Sequence, residues 1–231
     1  MIRCLFSGLV IVTLACAQAE AQQSPPRAAH ANFRGDSAPI SVRRMADWAV
    51  ASADNGSLPF VIVDKKDAEV FVFDRQGQIL GTAPARLGLA VGDDSAPGVG
   101  NKPLSAIPPK DRTTPAGRFV GYLDHDPGKP NFLWVDYKNN VSLHRVVKGR
   151  PQDQRAQRLA SPTPLDNRIS FGCINVPVLF FDTIVAPAFA NSSGVVYILP
   201  ETRPARALFG PNAPVSVNQP ISPTWKPQDA R

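Results

Sequence analysis

Proline restricts this chain more than any other residue. There are 24 prolines in 231 residues, about twice the ~5% of ordinary proteins. A residue that locks φ and lacks an N–H interrupts helix interiors, so a long-helix bundle is disfavoured, and extended segments, turns and short helices are expected. Glycine, at 16, is ordinary, which speaks against collagen-like or linker composition. The chain is 43% hydrophobic and 19% charged, a globular balance rather than a disordered or membrane-embedded one. A chain this long buries roughly 70% of its unfolded surface, so no disulfide scaffold is required.

The apolar pattern changes period along the chain. Residues 41–53 place Val42, Met45, Trp48 and Ala49 at helical spacing behind a Ser cap, which predicts a short amphipathic helix stopped by Asn55 and Gly56. From Phe60 the pattern becomes short apolar runs. Phe60 to Val63, then Val70 to Phe73 with a turn at Asp74 to Gly77, predict a strand and a hairpin continuing through Leu80. Further strands are expected at 118–123, 132–137, 141–144 and 195–199, and one helix from Pro177 to about Ala186. The expectation is a mainly β protein with a few short peripheral helices.

The start of the chain reads as an export signal. Arg3 precedes an apolar run from Leu5 to Ala17, too short to span a bilayer, and small residues follow at Ala17, Ala19 and Ala21. Residues 1–21 are expected to be a cleaved signal peptide, with export to the periplasm or cell envelope and no transmembrane segment afterwards. A lipid anchor on Cys16 is the competing reading. Residues 22–57 then form an arm carrying the short helix, residues 58–200 the main domain, and residues 201–231 a proline-rich tail, extended or disordered. Cleavage removes Cys4 and Cys16 and leaves Cys173 as the one thiol.

Several chemistries lack their spacing here. There is no Cys-x-x-Cys, His-Glu-x-x-His, Gly-x-Ser-x-Gly or Walker-type loop. With three histidines, His30, His125 and His144, a zinc site is not expected, and neither is any metal or other cofactor. The formal charge of +6 permits nucleic-acid binding, but the basic residues are scattered without an aromatic platform, so nucleic acid is not an expected partner. The residues that remain are a cysteine and a possible base. Gly172 lets the backbone turn sharply before Cys173 and aim successive N–H groups at one point, as an oxyanion hole requires. His144 ends an apolar strand run and would activate the thiol if the two segments pair. Without that contact, His144 is a structural strand-end residue and Cys173 an inert packed thiol. His125 is either a surface turn residue or a second polar group entering the cleft.

At these residues the chain resembles the L,D-transpeptidase (YkuD-like) catalytic domain. The family motif, a His followed after a variable stretch by Ser/Thr-His-Gly-Cys, a hydrophobic residue and Asn or Arg, is matched by His144 and by Ser170 to Asn175. A Thr-Pro-x-Gly-x-Phe element is matched by Thr114 to Phe119, and the likeness covers about residues 58–200. The resemblance implies a β-sandwich or barrel and a cysteine acyl-transferase acting on peptidoglycan tetrapeptide stems. In it Cys173 is the nucleophile, His144 the base, the Arg145 carbonyl its orienting acceptor, and Gly172 and Cys173 N–H the oxyanion donors. Ser170, Phe171, Asn175 and Arg168 are assigned to the substrate side, Arg168 by pairing with a stem carboxylate. Two residues depart from the family: Phe171 stands where it has His, and Arg145 where it has Gly. The resemblance also leaves open a hydrolase on the same stems, or a wall-binding protein that has lost turnover through Phe171. The basic segment 145–169 is either a lid over an anionic stem or a solvated loop. The oligomeric state is left open.

Overall fold

The computed structural model describes residues 30–124 and 130–210. The expected signal segment, His125 and most of the proline-rich tail lie outside the described residues. Ten strands follow one another as β1 (Phe60–Asp64), β2 (Glu69–Phe73), β3 (Ile79–Pro84), β4 (Leu87–Gly88), β5 (Gly117–Leu123), β6 (Leu133–Asp136), β7 (Val141–Arg145), β8 (Arg168–Ser170), β9 (Ile174–Val176) and β10 (Gly194–Ile198). The α-helices are α1 (Ile40–Ala51), α2 (Arg155–Leu159), α3 (Val178–Phe180), α4 (Ala186–Phe189) and α5 (Arg206–Phe209). The fold is mainly β with short helices, as the proline content and run lengths predict.

Eight strands make one sheet in the order β3-β2-β1-β10-β5-β6-β7-β9, and β4 pairs in parallel with β8. Where the chain leaves β3, Arg86 exchanges both backbone hydrogen bonds with Asn175 of β9, at 2.8 and 2.9 Å. This seam draws the two ends of the sheet together into a nearly closed, barrel-like shape.

The apolar run of β1 is continuous because both of its faces are covered. Val61 and Val63 join Val70, Val72, Leu143, Ile174, Phe181 and Phe189 in one core. Phe60 and Ile62 join Val42, Met45 and Val50 of α1 in the second, where the Phe60 ring stacks on Phe73 at 4.7 Å. The helix of the arm therefore completes a core of the barrel. The start of the tail is docked as well. The Asp93 carboxylate accepts from the N–H groups of Glu201, Thr202 and Arg203, and Phe209 of α5 packs against Trp48 and Tyr197.

The helix expected from Pro177 is interrupted. A π-helical turn, Phe181–Val185, joins α3 to α4. Pro187 stands at the start of α4 and has no N–H to give to the preceding turn, and a widened π turn accommodates such a gap. The reading of the apolar runs misses β4, β8 and β9. At two or three residues each they are too short to show a period.

Candidate active site

The site is built on adjacent strands. β7 and β9 run parallel, with Leu143 opposite Ile174, His144 opposite Asn175 and Arg145 opposite Val176. Alternation sends Val141, Leu143, Ile174 and Val176 into the core, so Ser142, His144, Cys173 and Asn175 occupy the other face. The 28 residues between His144 and Cys173, which include α2 and β8, leave that face and return in register.

The His144 ring is fixed through both nitrogens. Nδ1 lies 2.7 Å from the Arg145 carbonyl. A carbonyl only accepts, so Nδ1 carries the proton and Nε2 of the neutral ring is the lone pair. That lone pair faces the Asn175 amide nitrogen at 2.9 Å. The Arg145 side chain turns away from the imidazole, although the residue lines the same cleft. It bonds Asp182 and the carbonyl and side-chain oxygens of Asn131, and its guanidinium lies 4.3 Å from the Phe181 ring centroid. Its bulk is therefore accommodated away from the imidazole.

The Cys173 thiol sits beside Ser142, whose hydroxyl oxygen is 3.7 Å from Sγ, and it points toward the Asn140 carbonyl at 3.6 Å. Burial pushes the thiol pKa up. His144, then the N–H and hydroxyl of Ser142, outweigh that effect and hold it below the ordinary thiol value. His144 and Ser142 also line a cleft of about 530 Å3, walled by Phe132, Val146, Val147 and Val178.

The turn before Cys173 is pinned by hydroxyls. Ser170 Oγ accepts from Gly172 N–H at 3.1 Å and donates to the Cys173 carbonyl at 2.6 Å. The expectation that Gly172 N–H serves an oxyanion meets a competing partner here, because that donor is already engaged within the turn. Cys173 N–H makes no such bond. Gly172 has φ +131, and a Cβ there would approach the Thr113 carbonyl oxygen to 2.9 Å, so the glycine is required by backbone and by space. Thr114 Oγ donates to the Gly172 carbonyl at 2.8 Å and accepts from Gly88 N–H at 2.8 Å.

Arg168 is not brought to the thiol. Its guanidinium pairs with Glu201 and donates to the Lys65 carbonyl, and the side chain is 10% exposed. The guanidinium expected to meet a substrate carboxylate is thus engaged by Glu201 and the Lys65 carbonyl. Lys65 and Asp93 extend the network, with Lys65 Nζ 2.9 Å from Asp93 and 3.0 Å from the Thr114 carbonyl. Buried ions thus hold the segment whose hydroxyl holds the Cys173 turn. Phe171 packs its ring under the Arg112 guanidinium at 4.1 Å.

Ser142 and Thr114 are the functional residues that the reading of the sequence missed in these roles. Ser142 had a signal, since it stands two residues before His144 and must share its face. No cluster of metal-ligating side chains occurs among the described residues, and none of their helices is long and apolar enough to cross a membrane.

The class defined here is a barrel-like β domain with a thiol and an imidazole on neighbouring parallel strands. Among solved structures, the chain is similar to an L,D-transpeptidase from Xylanimonas cellulosilytica (TM-score 0.40, 12% identity, covering 62% of this chain and 60% of that one). It is also similar to a helical cell shape determining protein from Campylobacter jejuni (TM-score 0.39, 17% identity, covering 63% and 49%) and an L,D-transpeptidase from Mycobacterium smegmatis (0.35, 14%, covering 61% and 58%). The chain thus spans about half to three fifths of the length of these proteins. No family model and no curated protein matches it.

Proposed function

We propose that the protein is an exported cysteine acyl-transferase of the L,D-transpeptidase type, acting on peptidoglycan tetrapeptide stems. The observation that carries this reading is the thiol itself: half-buried, yet held below its ordinary pKa by the imidazole on the adjoining strand. In the mechanism, the Asn175 amide releases His144 Nε2, which takes the Cys173 proton. The sulfur attacks the carbonyl preceding the terminal D-Ala, and Cys173 N–H receives the developing oxyanion. Imidazolium Nε2–H then protonates the leaving amine as the thioester forms. An amine of a second stem attacks that thioester, returns a proton through His144 and leaves a peptide bond and a free thiol. The Arg145 carbonyl holds Nδ1–H throughout, which keeps the lone pair on Nε2 as the base.

A wall-binding protein without turnover is the second reading. It is favoured by Phe171 under Arg112, by Gly172 N–H held in the turn, and by the amide occupying Nε2. One experiment separates the two. Intact mass of the protein is measured after incubation with tetrapeptide stems, beside Cys173→Ala and His144→Ala. An adduct of stem minus alanine on the unsubstituted protein, absent from Cys173→Ala, is expected. Binding without adduct or product overturns the enzyme in favour of the binding protein.

A further inference from the structure

Arg86 is the largest fully buried side chain among the described residues, at 1% exposed. Its Nε and Nη1 are buried with no hydrogen-bond partner there. Its place in the fold says what faces it. Ala85 and Leu87 on either side enter the core, as do Ile174 and Val176 on either side of Asn175. Arg86 and Asn175 are paired across the seam, so their side chains leave the barrel on the same face. Asn175 in turn is opposite His144. Arg86, Asn175 and His144 therefore form one row over three neighbouring strands, and the guanidinium is rooted roughly 10 Å, two strand spacings, from the His144 backbone.

The charges around Arg86 are mostly of its own sign. Burial, then the like charge of Arg155, lowers its pKa to about 10; Asp153 opposes this and Arg158 adds to it. Asp153 is already engaged by Arg155 at 3.0 Å. Arg158 gives Nη1 to the Asp166 carbonyl, and its Nε is also buried without a partner. Asp153 is thus the one opposing charge in this group, and it is already bonded by Arg155 and faced by Arg150 at 3.9 Å. A buried cation with open donors is costly unless an anion completes it.

We infer that Arg86, with Arg158 of the 150–168 segment, forms a carboxylate-binding subsite that selects the peptide whose carbonyl Cys173 attacks. The inference rests on the proposed function and adds what chooses the substrate. The planar fork of arginine fits a carboxylate, and an extended peptide spans 10 Å in about three residues. The anionic group recognised therefore lies within a few residues of the attacked carbonyl. The segment carrying Arg155 and Arg158 becomes the cover of that subsite.

The test is calorimetric binding of a synthetic stem tetrapeptide, and of the same peptide with its carboxylates amidated, to full-length protein carrying Cys173→Ala. The acid form is expected to bind at least tenfold more tightly than the amide. Arg86→Gln is expected to abolish that preference and Arg86→Lys to keep part of it. If Arg86→Gln does not fold, Arg158→Gln is read in its place, with a severalfold loss expected for the acid form alone. Equal binding of both peptides to the protein with Arg86 intact overturns the subsite, while adduct formation on protein that keeps Cys173, measured in parallel by intact mass, leaves the proposed function standing. Absence of both binding and adduct overturns the two together.

Discussion

Thr114 holds Gly172 through a single hydroxyl, which donates to the Gly172 carbonyl and accepts from Gly88 N–H, each at 2.8 Å. Thr114 is fully buried. Thr114→Val keeps the shape and leaves a carbonyl and an N–H unpaired in the interior. Unpaired buried groups cost about 1–3 kcal/mol each, so a loss of about 3 kcal/mol is expected in urea unfolding. Thiol alkylation in the folded variant is expected to slow as well; an unchanged rate would show that the turn holds its shape without Thr114.

Gly172→Ala tests the same turn from the other side. An L-residue at φ +131 is strained, and the added methyl meets the Thr113 carbonyl oxygen. Conformational strain of this kind costs about 1–3 kcal/mol, with the clash added to it. A fall in thermal midpoint together with slower acylation is expected. A variant as stable as the parent would mean that the backbone tolerates another conformation there.

The thiol should titrate below an ordinary cysteine, because His144 and Ser142 outweigh burial. Iodoacetamide alkylation of Cys173, followed by mass against pH, reads this directly. His144→Ala removes the largest lowering influence and leaves the burial, so the alkylation midpoint moves up and the rate at pH 7 falls. A midpoint that does not move would separate His144 from activation of the thiol.

Asp93 links stability to acid. Its carboxyl is buried, which alone would raise its pKa, but bonds from Thr202, Lys65 and the Glu201 N–H hold it at about 2, against an ordinary 3.8. A carboxyl with a depressed folded pKa stabilises the fold above its unfolded pKa. About 2 kcal/mol is expected to disappear as pH falls from about 4 to about 2. Urea unfolding over that range should show the slope in the parent. Asp93→Asn should be less stable at neutral pH and lack this part of the slope.

The longer strands were legible in the sequence because each leaves a local trace, whereas the pairing of Cys173 with His144 was implied by the family resemblance and left open by the residues alone. Phe60 to Val63 is an uninterrupted apolar run, and Gly172 before Cys173 marks a turn. The supports of the site were not legible. Thr114 and Gly172 are 58 residues apart, Ser142 and Cys173 31, and Asp93 and Glu201 108. Side chains that meet only through the closed barrel have no periodicity to announce them. Arg168 and Arg86 show the limit most plainly. Both are arginines beside β-structure, and only the seam decides which is paired and which is left open.

The distant origin of those supports makes the reactivity of the thiol a late event in folding. Before the Arg86–Asn175 seam closes, β9 has no partner on that side; before β7 meets β9, Cys173 has neither His144 nor Ser142 beside it. Contacts of such separation form only after the intervening loops are closed. An incompletely folded chain therefore carries an ordinary, mostly protonated thiol, poorly suited to attack a neighbour or to form a mixed disulfide. The lowered pKa of the thiol is acquired with completion of the barrel.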